Sequence, residues 1–203
     1  GSDFENFIPL YFPCDTAGLD SSLYNFNSPW VSFFDIIGFA FGPLFGSGCP
    51  QVTSINQSFD AYSGISALRM DADTNGLAQA SANGNLAGRP NKLQGYFKTD
   101  AGPNDTIAVI VGAVETGLIA NAQDSSNYIG YGEFVSTGST GSYTQFEVPI
   151  SYSGTAPTDS FEISLVFVNS ATSGGVKSVW FDAFNFVYDT TVVSICAGDS
   201  AFL

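Results

Sequence analysis

The stretch Asn85-Leu-Ala-Gly-Arg-Pro-Asn-Lys-Leu-Gln-Gly-Tyr-Phe-Lys-Thr-Asp-Ala-Gly-Pro-Asn-Asp-Thr-Ile-Ala-Val-Ile-Val-Gly-Ala-Val114 decides the fold. Leu93, Gly95, Phe97 and Thr99 alternate with Gln94, Tyr96, Lys98 and Asp100, the period-2 pattern of a half-buried strand. Gly102-Pro103-Asn104-Asp105 carries turn chemistry. Ile107 to Val114 is apolar enough to predict a strand covered on both faces. A wet strand and a dry one joined by a short turn make a β-arch.

Working outward, Asp3-Phe-Glu-Asn-Phe7 reads as a short first strand, and Val52–Phe59 and Ile65–Met70 as strands around the turn Asp60-Ala-Tyr-Ser-Gly64. Tyr143–Ile150 alternates cleanly, and Phe161–Val168 and Val179–Tyr188 complete the set. Residues 71–91 read as a polar excursion and residues 116–141 as a surface insertion. Residues 9–50 are irregular, rich in Pro and Phe, and too apolar for a free linker, so they are expected to pack over one sheet. No segment sustains a long helical stripe. About eight or nine strands with turns between them predict an all-β, two-sheet antiparallel β-sandwich, a jelly roll, over residues 3–190. Residues 191–203 read as the truncated start of a following repeat or linker, which implies other domains in a larger parent chain.

Nineteen acidic residues stand against five basic ones, a net charge of −14. That excludes nucleic acid and anionic membrane surfaces as partners, since both need clustered cations. No stretch reaches the roughly 20 apolar residues of a membrane span, so no membrane insertion is expected. The composition fits a secreted protein, or one that uses metal cations as counter-charges. Cys14 and Cys49 flank the aromatic segment and either close a bridge worth about 3 kcal/mol or stand as two thiols; Cys196 is odd by count.

The chain holds no histidine, which removes Ser-His and Cys-His catalysis and His-ligated metals. Acid–base chemistry would fall to carboxylates such as Glu115, Glu133, Glu147 and Glu162, and glycoside hydrolysis needs a pair of them at a set separation. Flat aromatics next to amide and carboxyl groups suit a sugar's apolar C–H face and its hydroxyls. Trp30, Tyr24, Tyr96, Tyr128 and Tyr131, with Asn127, are the candidate ligand-binding residues. Asp182 sits in the last strand, in phase with Trp180, Phe184 and Phe186. Buried there, the carboxylate needs a counter-charge, either a salt bridge or a hard cation such as Ca2+; otherwise it faces solvent at a strand end. Asp71-Ala-Asp-Thr-Asn-Gly76 has the spacing of half an EF-hand loop, so Asp71, Asp73 and Asn75 are an alternative metal set, although its twelfth position, Ala82, lacks the bidentate Glu.

Asp3-Phe-Glu-Asn6, Ala61-Tyr-Ser-Gly64 with Ala67-Leu68, Gly88-Arg-Pro90, Leu93-Gln-Gly-Tyr-Phe-Lys98, Asn104-Asp-Thr106 and Trp180-Phe-Asp-Ala-Phe184 occur in that order. The set resembles the jelly-roll domain of secreted and surface Bacteroidetes proteins associated with carbohydrate metabolism. It is also similar in layout to calcium-containing carbohydrate-binding modules. The resemblance spans residues 3–188; the long aromatic segment at 23–45 departs from it. Together with the composition, it implies a secreted, extracellular or cell-surface location; it also implies glycan association without a demonstrated reaction, and a structural Ca2+ gathered by Glu5, Asp60, Ser63 and Asp182. Three functions follow in order of expectation: non-catalytic glycan binding by an accessory domain, an adhesin or spacer domain binding protein or surface, and an acid-based glycoside hydrolase.

Overall fold

β-Branched and aromatic runs separated by Gly, Pro and Asp turns build an almost all-strand domain. A computed structural model describes residues 55–72, 76–118, 127–170 and 175–189, together with three short strands further upstream. Those three are β1 (Leu10–Tyr11), β2 (Leu23–Tyr24) and β3 (Trp30–Val31). They are followed by β4 (Ile55–Ser58), β5 (Ala67–Ala72), β6 (Leu77–Asn85), β7 (Lys92–Thr99), β8 (Thr106–Glu115), β9 (Tyr128–Thr137), β10 (Thr144–Pro149), β11 (Ser151–Tyr152), β12 (Thr158–Val168) and β13 (Lys177–Val187). One sheet has the order β10-β7-β13-β5-β4 and the other β11-β9-β8-β12-β6-β3, while β1 pairs with β2. All pairings are antiparallel. This is the two-sheet sandwich that the strand count predicts. Among the described residues, no helix is long and apolar enough to cross a membrane. The expected first strand at residues 3–7, both residues of the Cys14–Cys49 pair, Cys196 and the tail from 190 onward lie outside the described residues.

The arch forms as read: β7 belongs to the five-stranded sheet and β8 to the six-stranded one, joined by the turn at 102–105. Leu93, Gly95, Phe97 and Thr99 point inward while Lys92, Gln94, Tyr96 and Lys98 point outward. In β8 only one face is fully buried; Thr106, Ala108 and Ile110 on the other are partly open. The core interleaves Leu68, Met70, Leu93, Phe97, Phe146 and Phe181 from one sheet with Ile107, Val109, Val111, Ile163, Leu165 and Phe167 from the other.

Two strands lie where polar connections were expected. β6 crosses the 71–91 excursion with Ala78, Ala80 and Ala82 inward. Alanine has weak strand propensity, so the period is carried by residues that barely signal it. β9 lies in the 116–141 insertion, where Gly130 and Gly132 occupy buried positions. Those glycines permit a close approach: a Cβ on Gly132 would sit 2.4 Å from the Pro149 carbonyl oxygen. There the chain turns from β10 to β11 across Ile150, leaving the edge of one sheet to form the edge of the other.

The last strand departs from simple alternation. β13 runs between β7 and β5, and its register with β7 slips between Asp182 and Asn185. At that β-bulge Ala183 takes a left-handed φ of 54°. Val179 and Phe181 point into the core before the slip and Phe184 does so after it. Asp182 therefore faces outward with Trp180, and the expectation that it shares a face with Phe184 and Phe186 is corrected by the extra residue.

Gly132→Ala is expected to lower stability by about 1–3 kcal/mol, because the new methyl meets backbone rather than a movable side chain; urea denaturation measures this. At residue 183, a β-branched substitution such as Ala183→Val should cost more than about 1 kcal/mol, whereas Ala183→Gly should be neutral or stabilising, because only glycine adopts this φ without strain.

Candidate functional site

The bulge puts a carboxylate on the outer face of the five-stranded sheet and the turn after β4 covers it. Asp182 is 2% exposed. Its Oδ2 accepts the backbone N–H of Tyr62 at 2.7 Å and of Ser63 at 2.8 Å, and its Oδ1 accepts that of Ala183 at 2.6 Å. Hydrogen bonds to a charged acceptor are worth about 1.5–3 kcal/mol each, so this one side chain fixes the 60–64 turn to the sheet.

Fixing the turn fixes Tyr62. Its ring stacks on Tyr96 with centroids 3.6 Å apart and planes 11° from parallel, and stands 6.0 Å from Tyr143. The Tyr143 hydroxyl donates to the Asp60 carbonyl at 2.6 Å. Lys98 pairs with the Asp60 carboxylate, and its ammonium lies 4.7 Å from the Trp180 ring centre and 5.4 Å from that of Tyr143. Arg69, on the opposite neighbouring strand, lies over Trp180 with its guanidinium carbon 5.4 Å from the ring centre, and the Trp180 indole N–H donates to Ser58 Oγ at 3.1 Å. Gln145 and Gln94 flank Tyr96 by strand register on β10 and β7. The result is an aromatic platform with Tyr62 outermost, 48% exposed, inside a polar rim. Burial, with Asp60 and Asp182 adding repulsion, pushes the Tyr143 hydroxyl well above its ordinary value; the hydrogen bond with Tyr62 raises that of Tyr96.

The predicted ligand residues divide between two faces. Tyr96 lies in the platform. Tyr128 and Tyr131 lie in β9, with Asn127 just before it, on the six-stranded sheet. Trp30 pairs through its backbone with Ala82 at that sheet's β3 edge, and Tyr24 belongs to β2; both side chains are outside the described residues. Tyr62, Tyr143 and Trp180 were not among the candidates. Tyr62 sits inside Ala61-Tyr-Ser-Gly64, a turn read for its oxygens rather than its ring. The carboxylates also separate: Glu147 faces out from the five-stranded sheet, paired with Lys92, and Glu162 from the six-stranded one, so the two do not flank a common bond.

Of the proposed metal set, Asp60, Ser63 and Asp182 are brought together, while Glu5 lies outside the described residues. Ser63 reaches Asp182 through its amide N–H, and Asp60 is bonded to Lys98. A buried carboxylate needs donors, and here backbone amides supply them, so these three residues do not fit a cation shell. In the alternative set, Asp71 Oδ1 accepts Arg69 Nε at 2.7 Å and Ser178 Oγ at 2.6 Å, and Asp73 and Asn75 lie outside the described residues. Among the described residues, no group of three Asp, Glu, Cys or His gathers in a metal-holding arrangement.

No protein-family model matches the sequence, and no curated protein is similar to it. Solved structures do share its architecture. A candidate glycoside hydrolase of Bacteroides vulgatus ATCC 8482 is similar over 91% of this chain and 96% of its own, at 15% identity and a TM-score of 0.54. One from Bacteroides thetaiotaomicron VPI-5482 is similar over 90% of this chain and 72% of its own, at 14% identity and a TM-score of 0.52. The carbohydrate-binding module TmCBM61, solved with β-1,4-galactotriose, covers 80% of this chain and 90% of its own at 14% identity and a TM-score of 0.48. At these identities the likeness is one of fold.

Asp182→Ala is expected to cost about 3 kcal/mol or more by leaving three amides without their acceptor, and to weaken the near-ultraviolet tyrosine signal as the Tyr62–Tyr96 stack loosens. Urea denaturation and circular dichroism check both. A second expectation concerns alkali. Tyr143 is raised above its free value, and burial, against the lowering effect of Arg89, raises Tyr152 to about 12. The protonated forms are favoured on folding, so stability is full below about pH 10 and falls as pH climbs toward the folded values. The Tyr143→Phe, Tyr152→Phe double variant should show a smaller stability loss than the parent between pH 9 and pH 11, read by urea midpoints.

Proposed function

We propose that this domain binds glycan without cleaving it, on the outer face of the five-stranded sheet, as an accessory part of a secreted or cell-surface protein. The observation that carries the proposal is the half-exposed ring of Tyr62, held against Tyr96 by stacking and against Asp182 by the amides of its own turn. A rigid flat ring loses little entropy when a sugar lies on it, so stacking energy reaches affinity almost undiminished. Around it Asp60, Lys98 and Gln145 offer both acceptors and donors to hydroxyl groups. Lys98 and Arg69 are held over Trp180, which keeps their charge at the platform rather than free in solvent. A β-sandwich fold shared with candidate glycoside hydrolases of Bacteroides supports the assignment at the level of architecture.

An adhesive role toward protein is the second reading. The exposed Leu77, Val135 and Val168 favour it, as they form part of an apolar strip on the other sheet's outer face.

A glycan array separates the two. Reproducible binding to a defined oligosaccharide class supports the first reading, and a silent array with strong adhesion to protein-coated surfaces supports the second. On any glycan that binds, Tyr62→Ala should weaken affinity about 2–10-fold, the equivalent of about 0.5–1.5 kcal/mol for one aromatic contact, with little change in thermal stability. Calorimetry with β-1,4-galactotriose and cellotetraose as first probes measures it.

A further inference from the structure

The opposite face of the sandwich carries a second aromatic feature that the platform does not use. Strand register sets Tyr131 on β9, Gly112 on β8, Glu162 on β12 and Asn83 on β6 in one row straight across the six-stranded sheet. Tyr131, 50% exposed, stands toward the β11 side of the row, next to Ser151. Gly112 leaves a gap in the middle, and the Tyr128 ring lies into it, so that a Cβ on Gly112 would meet that ring at 3.0 Å. The Tyr128 hydroxyl then donates to Glu162, a carboxylate only 5% exposed. Glu133 stands one row further along β9, 3.4 Å from the Tyr131 hydroxyl. The row is thus a tyrosine wall and a tyrosine floor beside two carboxylates, one of them held in place by the floor.

Charge distinguishes this face from the other. Of the chain's five cationic residues, Arg69, Lys92 and Lys98 project from the outer face of the five-stranded sheet, and Lys177 opens its strand β13. None lies in a described strand of the six-stranded sheet; Arg89 meets that sheet at its β11 end, over the Tyr152 ring with the guanidinium carbon 4.2 Å from the ring centre. That sheet holds Glu115, Glu133, Asp159 and Glu162. A ligand docking beside Tyr131 therefore meets acceptors and negative charge. Sugar hydroxyls are donors and suit carboxylate acceptors, whereas a uronate or sulfate would lose hydration against like charge. Sheets pack about 10 Å apart, so neither face can reach a sugar held by the other.

Building on the glycan reading above, we propose that the Tyr131–Gly112–Glu162–Asn83 row is a second, independent glycan site that takes uncharged, hydroxyl-rich chains and rejects anionic ones. The domain then engages two chains, or two stretches of one chain, from opposite sides, and its avidity on a dense polysaccharide exceeds that of either face.

Affinity electrophoresis in native gels containing galactan, xylan, mixed-linkage β-glucan or polygalacturonate tests this. The Tyr62→Ala protein should still be retarded by at least one neutral polysaccharide and not by polygalacturonate. Adding Tyr131→Ala should weaken that residual retardation at least tenfold, with the thermal unfolding midpoint confirming a folded variant. Glu133→Gln, which leaves both rings in place, should relieve the rejection of polygalacturonate in the Tyr62→Ala background. If Tyr62→Ala alone abolishes all retardation shown by the parent, only the first face binds and the second site is refuted while the glycan reading stands. The second site is equally refuted if Tyr131→Ala leaves the residual retardation unchanged or if polygalacturonate retards Tyr62→Ala as well as the neutral chains do. A parent protein retarded by none of the four overturns the glycan reading and this inference with it.

Discussion

A carboxylate removed from water must be given donors, and Asp182 receives three from backbone amides. That requirement organises the five-stranded face. The slip between Asp182 and Asn185 turns the carboxylate outward while returning Phe184 to the core. The outward carboxylate then collects the turn after β4, and the turn carries Tyr62 onto Tyr96. Backbone irregularity, charge satisfaction and ring presentation are one connected arrangement, and it depends on an alanine held at positive φ next to the acid. Backbone strain retained at such a place is commonly associated with a functional constraint.

Much of the architecture was legible because one sheet face is wet and the other dry. Leu93, Phe97, Phe146 and Val148 announce their strands by alternating with Gln94, Lys98, Gln145 and Glu147, and the turn at 102–105 marks the passage between sheets. β6 and β9 were not legible for the opposite reason. The inward positions of β6 are alanines, and those of β9 begin with Gly130 and Gly132, which satisfy packing by being small; the one large inward ring described in β9, Phe134, is offset by Tyr131 and Val135 facing out, so the hydrophobic pattern has almost no amplitude. The phase slip in β13 was hidden too: in Val-Trp-Phe-Asp-Ala-Phe-Asn-Phe, aromatics stand on both sides of the acid, and nothing in residue type reveals where the alternation skips.

The site was half legible. The resemblance to calcium-containing modules brought the 60–63 turn and Asp182 together, and they do meet. The donors that Asp182 takes were not readable, because they are main-chain N–H groups that every residue but proline possesses. The aromatic candidates fell on two faces because each tyrosine's direction depends on strand register, which a single chain does not display. What unites the faces chemically is flat rings over polar neighbours; what separates them, among the described strands, is that Arg69, Lys92 and Lys98 all project from the five-stranded sheet.

The passage of the chain from β10 through Ile150 into β11 has a further consequence. Unpaired strand edges invite a foreign strand to join, by design in assembly or by accident in aggregation. On this side the domain's own backbone turns the corner from one sheet to the other, with Gly132 close beneath it. Among the described strands, β4 and β3 end the two sheets on the opposite side, so the two margins of the sandwich differ: one is bridged by a single continuous piece of backbone, and the other ends in two strands that belong to separate parts of the chain.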